Sequence, residues 1–268
     1  MVFAGMPRTG STSLFHILGQ HPGVFRPFRK EMGYFLFNHH KGERWYLDAY
    51  RDATDDQCCI DVTPEYFFSP ETVERIAQFG DGVKVVIGVR DPAPFAVSLH
   101  GEYAKRYAVP PLEEFVRHYG YSRGSAKIEF SLASGVITSM LKLYRDTFGD
   151  RLFVYDFESF AKNPLPVLQS LERFMGLAPY FNAETFTNIH MNQGGRENKR
   201  WLTAILSAEP LIDAASRMIP AALLRRVAKR VYSGKPAPRP VAAEVPQWLR
   251  DAMAPDARYI AQTSSSRA

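Results

Sequence analysis

Cysteine is nearly missing from this chain of 268 residues: the only two, Cys58 and Cys59, are adjacent and lie in an apolar run. That arrangement excludes a disulfide framework and suggests a buried, reduced strand. Metal-ligand spacing is absent as well. The seven histidines are scattered, and the one pair, His39-His40, reads as a solvated turn, so no metal is expected. No apolar run approaches the roughly 20 residues of a membrane span, and no internal repeat is visible. No signal peptide is visible, since Val2 reads as entering the first strand at once, so a cytoplasmic location is the expectation. Acid is missing from one long stretch, between Ala214 and Ala243, where Arg217, Arg225, Arg226, Lys229, Arg230, Lys235 and Arg239 are all basic. With Met218, Leu223, Leu224 and Val227 at helical spacing, this reads as a basic amphipathic helix. It suits either a helix packed on the domain with a solvated cationic face or, over residues 217–239, peripheral contact with an acidic membrane or glycan surface. No recognised nucleic-acid module accompanies the charge, and nucleic acid is not an expected partner.

The most telling absence is a single lysine. Gly5-Met6-Pro7-Arg8-Thr9-Gly10-Ser11-Thr12-Ser13 follows the short strand Val2-Phe3-Ala4 and has the Gly-x-x-x-x-Gly spacing of a phosphate-binding loop. Such a loop surrounds anionic oxygens with backbone N–H groups at a helix N-terminus. The lysine that normally follows the second glycine is replaced by Ser11, and the positive charge sits inside the turn, at Arg8. A guanidinium there can fork onto two oxygens of a phosphate or sulfate. Leu14, Phe15 and Leu18 then recur at helical spacing, until Gly19 and Pro22 stop the helix after about two turns.

Further along, Cys58 to Val62, Val83 to Val89 and Leu152 to Tyr155 read as buried strands. Helical patterns over 71–79, 94–104, 136–148 and 164–175 lie between and after them. Val136, Met140, Tyr144 and Phe148 share one face of the third. Alternating strands and helices predict an α/β fold: a three-layer, P-loop-like arrangement with a central parallel sheet flanked by helices, plus a C-terminal helical segment. Residues 1–200 form the core and 201–268 a helical extension packed on the same domain. Ligands of such sheets sit beyond the carboxyl ends of the strands, where the polar signals cluster. Arg90-Asp91-Pro92 follows the strand ending at Val89, with Ser98 eight positions after Arg90. Asp91-Pro92 is explained as a helix cap and first turn, but Arg90 is not. Asp61-Val62-Thr63-Pro64-Glu65-Tyr66 ends another strand with two carboxylates, and Lys30-Glu31 stands in an aromatic loop with Phe28, Tyr34 and Phe35. Residues 101–135 hold Tyr103, Tyr107, Tyr119 and Tyr121 among Arg106, Arg117, His118 and Arg123. That segment is apt for sugar stacking and equally apt for a helical surface.

Taken together these segments resemble the sulfotransferases that use 3′-phosphoadenosine-5′-phosphosulfate (PAPS). Pro7-Arg8-Thr9-Gly10-Ser11-Thr12 is similar to their 5′-phosphosulfate loop, and Arg90-Asp91-Pro92 with Ser98 to their 3′-phosphate motif. His21-Pro22 followed by Lys30-Glu31 and Tyr34-Phe35 is similar to the segment carrying the catalytic glutamate of the glycan-directed branch. The likeness spans roughly residues 2–200. It implies sulfuryl transfer from PAPS, leaving 3′,5′-adenosine bisphosphate, to an acceptor hydroxyl, by preference of a carbohydrate, with a lipid or small molecule next. It implies Glu31 as base with Lys30 and Arg8 steadying the reacting group. Arg8, Thr9, Gly10, Ser11, Thr12 and Ser13 would hold the 5′-phosphate, Arg90 and Ser98 the 3′-phosphate, and Arg196 would close a basic loop over the nucleotide. Asp61 and Glu65 are rival carboxylates. The chain departs from the family at Arg8, where lysine is commoner, and at Val62, where a cofactor-binding lysine is frequent. Phe95 and His100 stand where arginine and tyrosine are frequent. Two other readings stay open: an ATP-using P-loop kinase with Asp61 on magnesium, and a non-catalytic module that binds a nucleotide or other anion.

Overall fold

The computed structural model describes residues 1–105, 107–123, 126–186 and 244–265. Four strands make the central sheet: β1 (Val2–Phe3), β4 (Asp61–Val62), β5 (Val85–Val89) and β8 (Leu152–Asp156), in the order β4-β1-β5-β8 and parallel throughout. β1 is only two residues long, yet it is central, pairing Val2 with Asp61 on one side and Val85 on the other.

Side chains on successive strand residues go to opposite faces, and here both faces are covered. Val2, Val85, Ile87 and Leu152 face one core with helices α3 (Pro70–Phe79), α4 (Pro92–Tyr103), α6 (Val136–Phe148) and α9 (Gln247–Ser265). Phe3, Val86 and Tyr155 face the other, with α1 (Ser11–Leu18), α7 (Phe157–Lys162) and α8 (Pro164–Met175). Three layers follow from that alternation, as expected. The stripe of α6 turned to the core is Ile137, Met140, Leu141, Tyr144 and Phe148, and Val136 is only half-buried. α9 lies on α4 and α6, and its buried Asp256 accepts the amides of Gly135 (2.7 Å) and Thr138 (2.8 Å), capping α6 from outside its own sequence.

Three expectations need correction. Cys58 to Val62 is not one strand: β3 (Cys58–Cys59) pairs with β2 (Val24–Phe25) in a separate ribbon, and β4 begins after Ile60. The cysteines are half-buried. After α5 (Leu112–Arg117), residues 119–130 form an antiparallel hairpin, β6 (Tyr119–Arg123) and β7 (Ala126–Phe130), rather than a helical surface. Tyr119, Tyr121, Ile128 and Phe130 alternate into the core and pack with Tyr103 and Phe115, so most of the tyrosines proposed for sugar stacking are buried on one another. Helix α2 (Glu43–Asp48) follows the β2 strand among the described residues. The boundary at residue 200, Arg196 and the basic segment 217–239 lie outside the described residues. Among the described residues no helix is long and apolar enough to cross a membrane.

Candidate active site at the β1/β5 crevice

After β1 the chain runs to β4 on one side of the sheet and then crosses to β5 on the other, so the carboxyl ends of β1 and β5 diverge into a crevice. Gly5 lies so close to β5 that a Cβ there would come 2.3 Å from the Gly88 nitrogen. Only glycine lets the loop descend onto the sheet. Two hydrogen bonds hold the turn from below: Thr9 Oγ1 donates to the Met6 carbonyl at 2.6 Å, and the buried Tyr155 hydroxyl to the Thr9 carbonyl at 2.8 Å. Arg8 and Gly10 both have positive φ, 66° and 83°. This tight turn carries Arg8 outward and starts α1 at Ser11 with no side-chain cap on Gly10. The first-turn amides of Ser11, Thr12 and Ser13 therefore keep their donors for a ligand, in the positive field of the helix N-terminus.

Arg90 leaves the end of β5 directly across the crevice. Its Nη1 donates to the Arg8 carbonyl at 3.3 Å, and Arg8 Nε donates to Ser98 Oγ on α4 at 3.3 Å. Residues 8, 90 and 98, separated by up to 90 positions, are thus in direct contact. Arg90 stacks on Phe157 (4.8 Å to the ring centroid) and faces Glu158 at 3.7 Å, while its Nε is buried with no hydrogen-bond partner among the described residues. Burial lowers its pKa, partly offset by Glu158. A buried guanidinium with an unused N–H is what an anion would satisfy. Arg8 is also 3.4 Å from Glu102, which in turn binds Lys105 at 2.9 Å. Asp91 caps α4 through the Ala93 amide, as its position predicted. Phe95 is in the core and His100 binds the Pro110 carbonyl at 2.9 Å, so the two departures there serve packing. Val62 is buried and supplies no cation.

The Lys30-Glu31 pair is a second cluster. Lys30 Nζ and Glu31 Oε1 are 3.3 Å apart, and both side chains are mostly shielded. The pair sits ahead of a tight turn: the Gly33 carbonyl accepts the amides of Phe37 and Asn38, and the Asn38 side chain returns to the Met32 carbonyl at 2.8 Å. Gly33 has φ 63°, and a Cβ there would be 1.9 Å from the Phe37 ring. Helix α4 links the two clusters, since Ser98 and Glu102 meet Arg8 while Tyr103, one residue on, has its phenol pKa raised by burial, Tyr121, Glu65 and Glu31.

Asp61 is unlike Glu31. It is buried, and both its oxygens accept hydroxyls, from Thr63 and from Tyr66, each at 2.8 Å. Burial pushes its carboxyl up to about 6, against the lowering effect of those hydrogen bonds. With both oxygens engaged and no exposure it can neither take a proton from an acceptor nor ligate magnesium, which removes the feature on which the kinase reading rested. Sequence reasoning missed this arrangement, and Glu102 too. Their partners lie far away in the chain, and no local pattern announces them.

No family model matches the chain. Heparan sulfate glucosamine 3-O-sulfotransferase 5 from Homo sapiens is 27% identical over 197 residues, 68% of this chain and 56% of that protein. Heparan sulfate glucosamine 3-O-sulfotransferase 3A1 from Mus musculus is 28% identical over 182 residues, 66% of this chain and 45% of that protein. The chain spans about half the length of these curated relatives. Among solved structures, a sulfotransferase from Alicyclobacillus acidocaldarius superposes with a TM-score of 0.52 at 19% identity, covering 81% of this chain and 98% of that one. The fold, a central parallel sheet flanked by helices, is of the sulfotransferase type. In sequence the chain is similar to heparan sulfate sulfotransferases, and its fold is that of the solved sulfotransferase.

Proposed function

We propose that this protein transfers a sulfuryl group from PAPS to an acceptor hydroxyl, by preference on a carbohydrate. The observation that carries the reading is the convergence of Arg8, Arg90 and Ser98 in one crevice, with a buried Arg90 N–H left for an anion. PAPS supplies the activated sulfuryl group; the protein supplies alignment and charge. In this reading the amides and hydroxyls of Ser11, Thr12 and Ser13, with Thr9 and Gly10, hold the 5′-phosphate, and Arg90 with Ser98 the 3′-phosphate. Arg8 neutralises charge on the departing phosphate oxygen. Glu31 takes the acceptor's proton as its oxygen bonds to sulfur and the sulfur–oxygen bond to the phosphate breaks. Lys30, beside Glu31, steadies the sulfuryl oxygens. Arg196 remains a candidate for closing over the nucleotide. The names of the relatives support a carbohydrate acceptor, and the shielding of Glu31 supports a base held away from bulk water.

Thermal stabilisation tests the nucleotide: 3′,5′-adenosine bisphosphate should raise Tm with EDTA present, and a rise only with ATP and magnesium refutes the proposal. Labelled sulfate transfer into a mixed carbohydrate pool tests the base. Glu31→Gln should cut turnover by about 10²- to 10⁴-fold while leaving bisphosphate affinity unchanged.

A further inference from the structure

The loop that carries Lys30-Glu31 is fastened through two hydroxyls to one buried carboxylate. Thr63 Oγ1 donates to Asp61 Oδ1 at 2.8 Å and accepts the Gly33 amide at 3.1 Å. Tyr66 OH donates to Asp61 Oδ2 at 2.8 Å and accepts the Phe35 amide at 3.2 Å. All four contacts are buried. A hydroxyl has one proton, so the direction of each chain is forced: amide to hydroxyl to carboxylate. Ionised, the carboxyl accepts at both oxygens, one for each chain; protonated, it keeps one oxygen as acceptor and turns the other into a donor.

We infer that Asp61 is a positioning residue for the proposed sulfuryl transfer, holding the Glu31 loop in register through Thr63 and Tyr66. The inference rests on the reading of Glu31 as the base. Protonated Asp61 would offer a donor to a hydroxyl already donating to it, and one of the two chains would lose its direction. The groups around Asp61 are the phenols of Tyr46 and Tyr50 from α2 and the turn after it, Tyr66 beyond β4, and the Met1 amino group at the start of β1. Burial raises all three phenols, so they stay neutral over the range in which Asp61, near 6, changes charge. The site should accordingly lose turnover on the acid side as Asp61 takes up its proton.

The decisive measurement follows the amide resonances of Gly33 and Phe35 in the full chain, labelled with nitrogen-15, from pH 8 to pH 5. Both should shift with one common midpoint. Asp61→Asn should abolish that titration, and Thr63→Val should abolish it at Gly33 while Phe35 keeps it. In the sulfate-transfer assay, Thr63→Val should lower kcat at least tenfold with KM for PAPS unchanged, and Thr63→Ser should return it to within twofold of wild type. Amides that ignore pH in the wild type, or a Thr63→Val enzyme with full turnover, overturn the inference. If the wild type sulfates nothing in the pool, the functional reading fails, and the amide titration still decides whether Asp61 holds the loop.

Discussion

The two halves of the site are built by opposite means. At the β1/β5 crevice, the candidate binding groups are backbone amides and arginines in contacts that an anion can replace: Arg8 reaches Ser98 and Glu102 at 3.3 and 3.4 Å, and Arg90 Nε has no hydrogen-bond partner among the described residues. At the Lys30-Glu31 loop the supporting groups are buried, and each is used, from Gly33 and Phe35 down to Asp61. A site for a doubly phosphorylated ligand must leave donors unspent. A site for a proton acceptor must fix one side chain to within a fraction of an ångström, and a satisfied polar network does that.

The contrast can be broken at its weakest points. Gly5→Ala should do most damage, because the new methyl meets the backbone of β5 and no flexible side chain can yield. We expect a loss of about 4 kcal/mol in unfolding free energy, read from urea melts, and a much smaller loss would mean that the loop can lift off the sheet.

The buried half makes a prediction of opposite sign to its catalytic one. Asp61 titrates at about 6 in the folded protein against an ordinary 3.8, so between these values the native state binds more protons than the unfolded chain. Stability from this group is then complete below pH 3.8 and declines as pH rises toward 6. It is absent above that, a swing of about 3 kcal/mol. Melts of the wild type minus those of Asp61→Asn should show this swing, with the wild type favoured at the acid end. The enzyme should therefore be more stable and less active as Asp61 protonates. A difference that stays flat with pH would show that Asp61 titrates alike in the folded and unfolded chain.

Smaller effects belong to the charged side chains of the open half. Arg90→Ala should weaken 3′,5′-adenosine bisphosphate about 100-fold in calorimetric titration, and Arg90→Lys should recover little, since a lysine cannot reproduce the fork. Glu102→Gln should tighten the bisphosphate about threefold by freeing Arg8 from a competing carboxylate; at this partly exposed position salt should erase the gain. Weakening in place of tightening would mean that Glu102 holds Arg8 toward the ligand.

Much of the open half was legible in the chain. Gly5, Arg8, Gly10, Arg90 and Ser98 are tied to strand ends by short-range rules of turns and helix starts, and those rules carry over to the folded protein. The Asp91-Pro92 cap was equally readable. The hairpin at 119–130 could have been found from the period-two alternation of Tyr119, Tyr121, Ile128 and Phe130, but the density of aromatics concealed it. The break at Ile60 could not, since which sheet claims Cys58 or Asp61 depends on partners at Val24 and Val2.

What the sequence determined by itself is the kind of fold and the place of its glycine loop, because alternating apolar periods and glycine spacing act over a few residues. How each carboxylate is solvated was decided only in three dimensions. Glu31, Asp61 and Glu65 are the same functional group in the sequence. Packing left Asp61 buried among Thr63, Tyr66 and Tyr46, whereas Glu31 keeps one-fifth of its side chain exposed beside Lys30. The reason is physical: an acid's role follows from its solvation and from the donors around it, and both are set by contacts between residues remote in the chain.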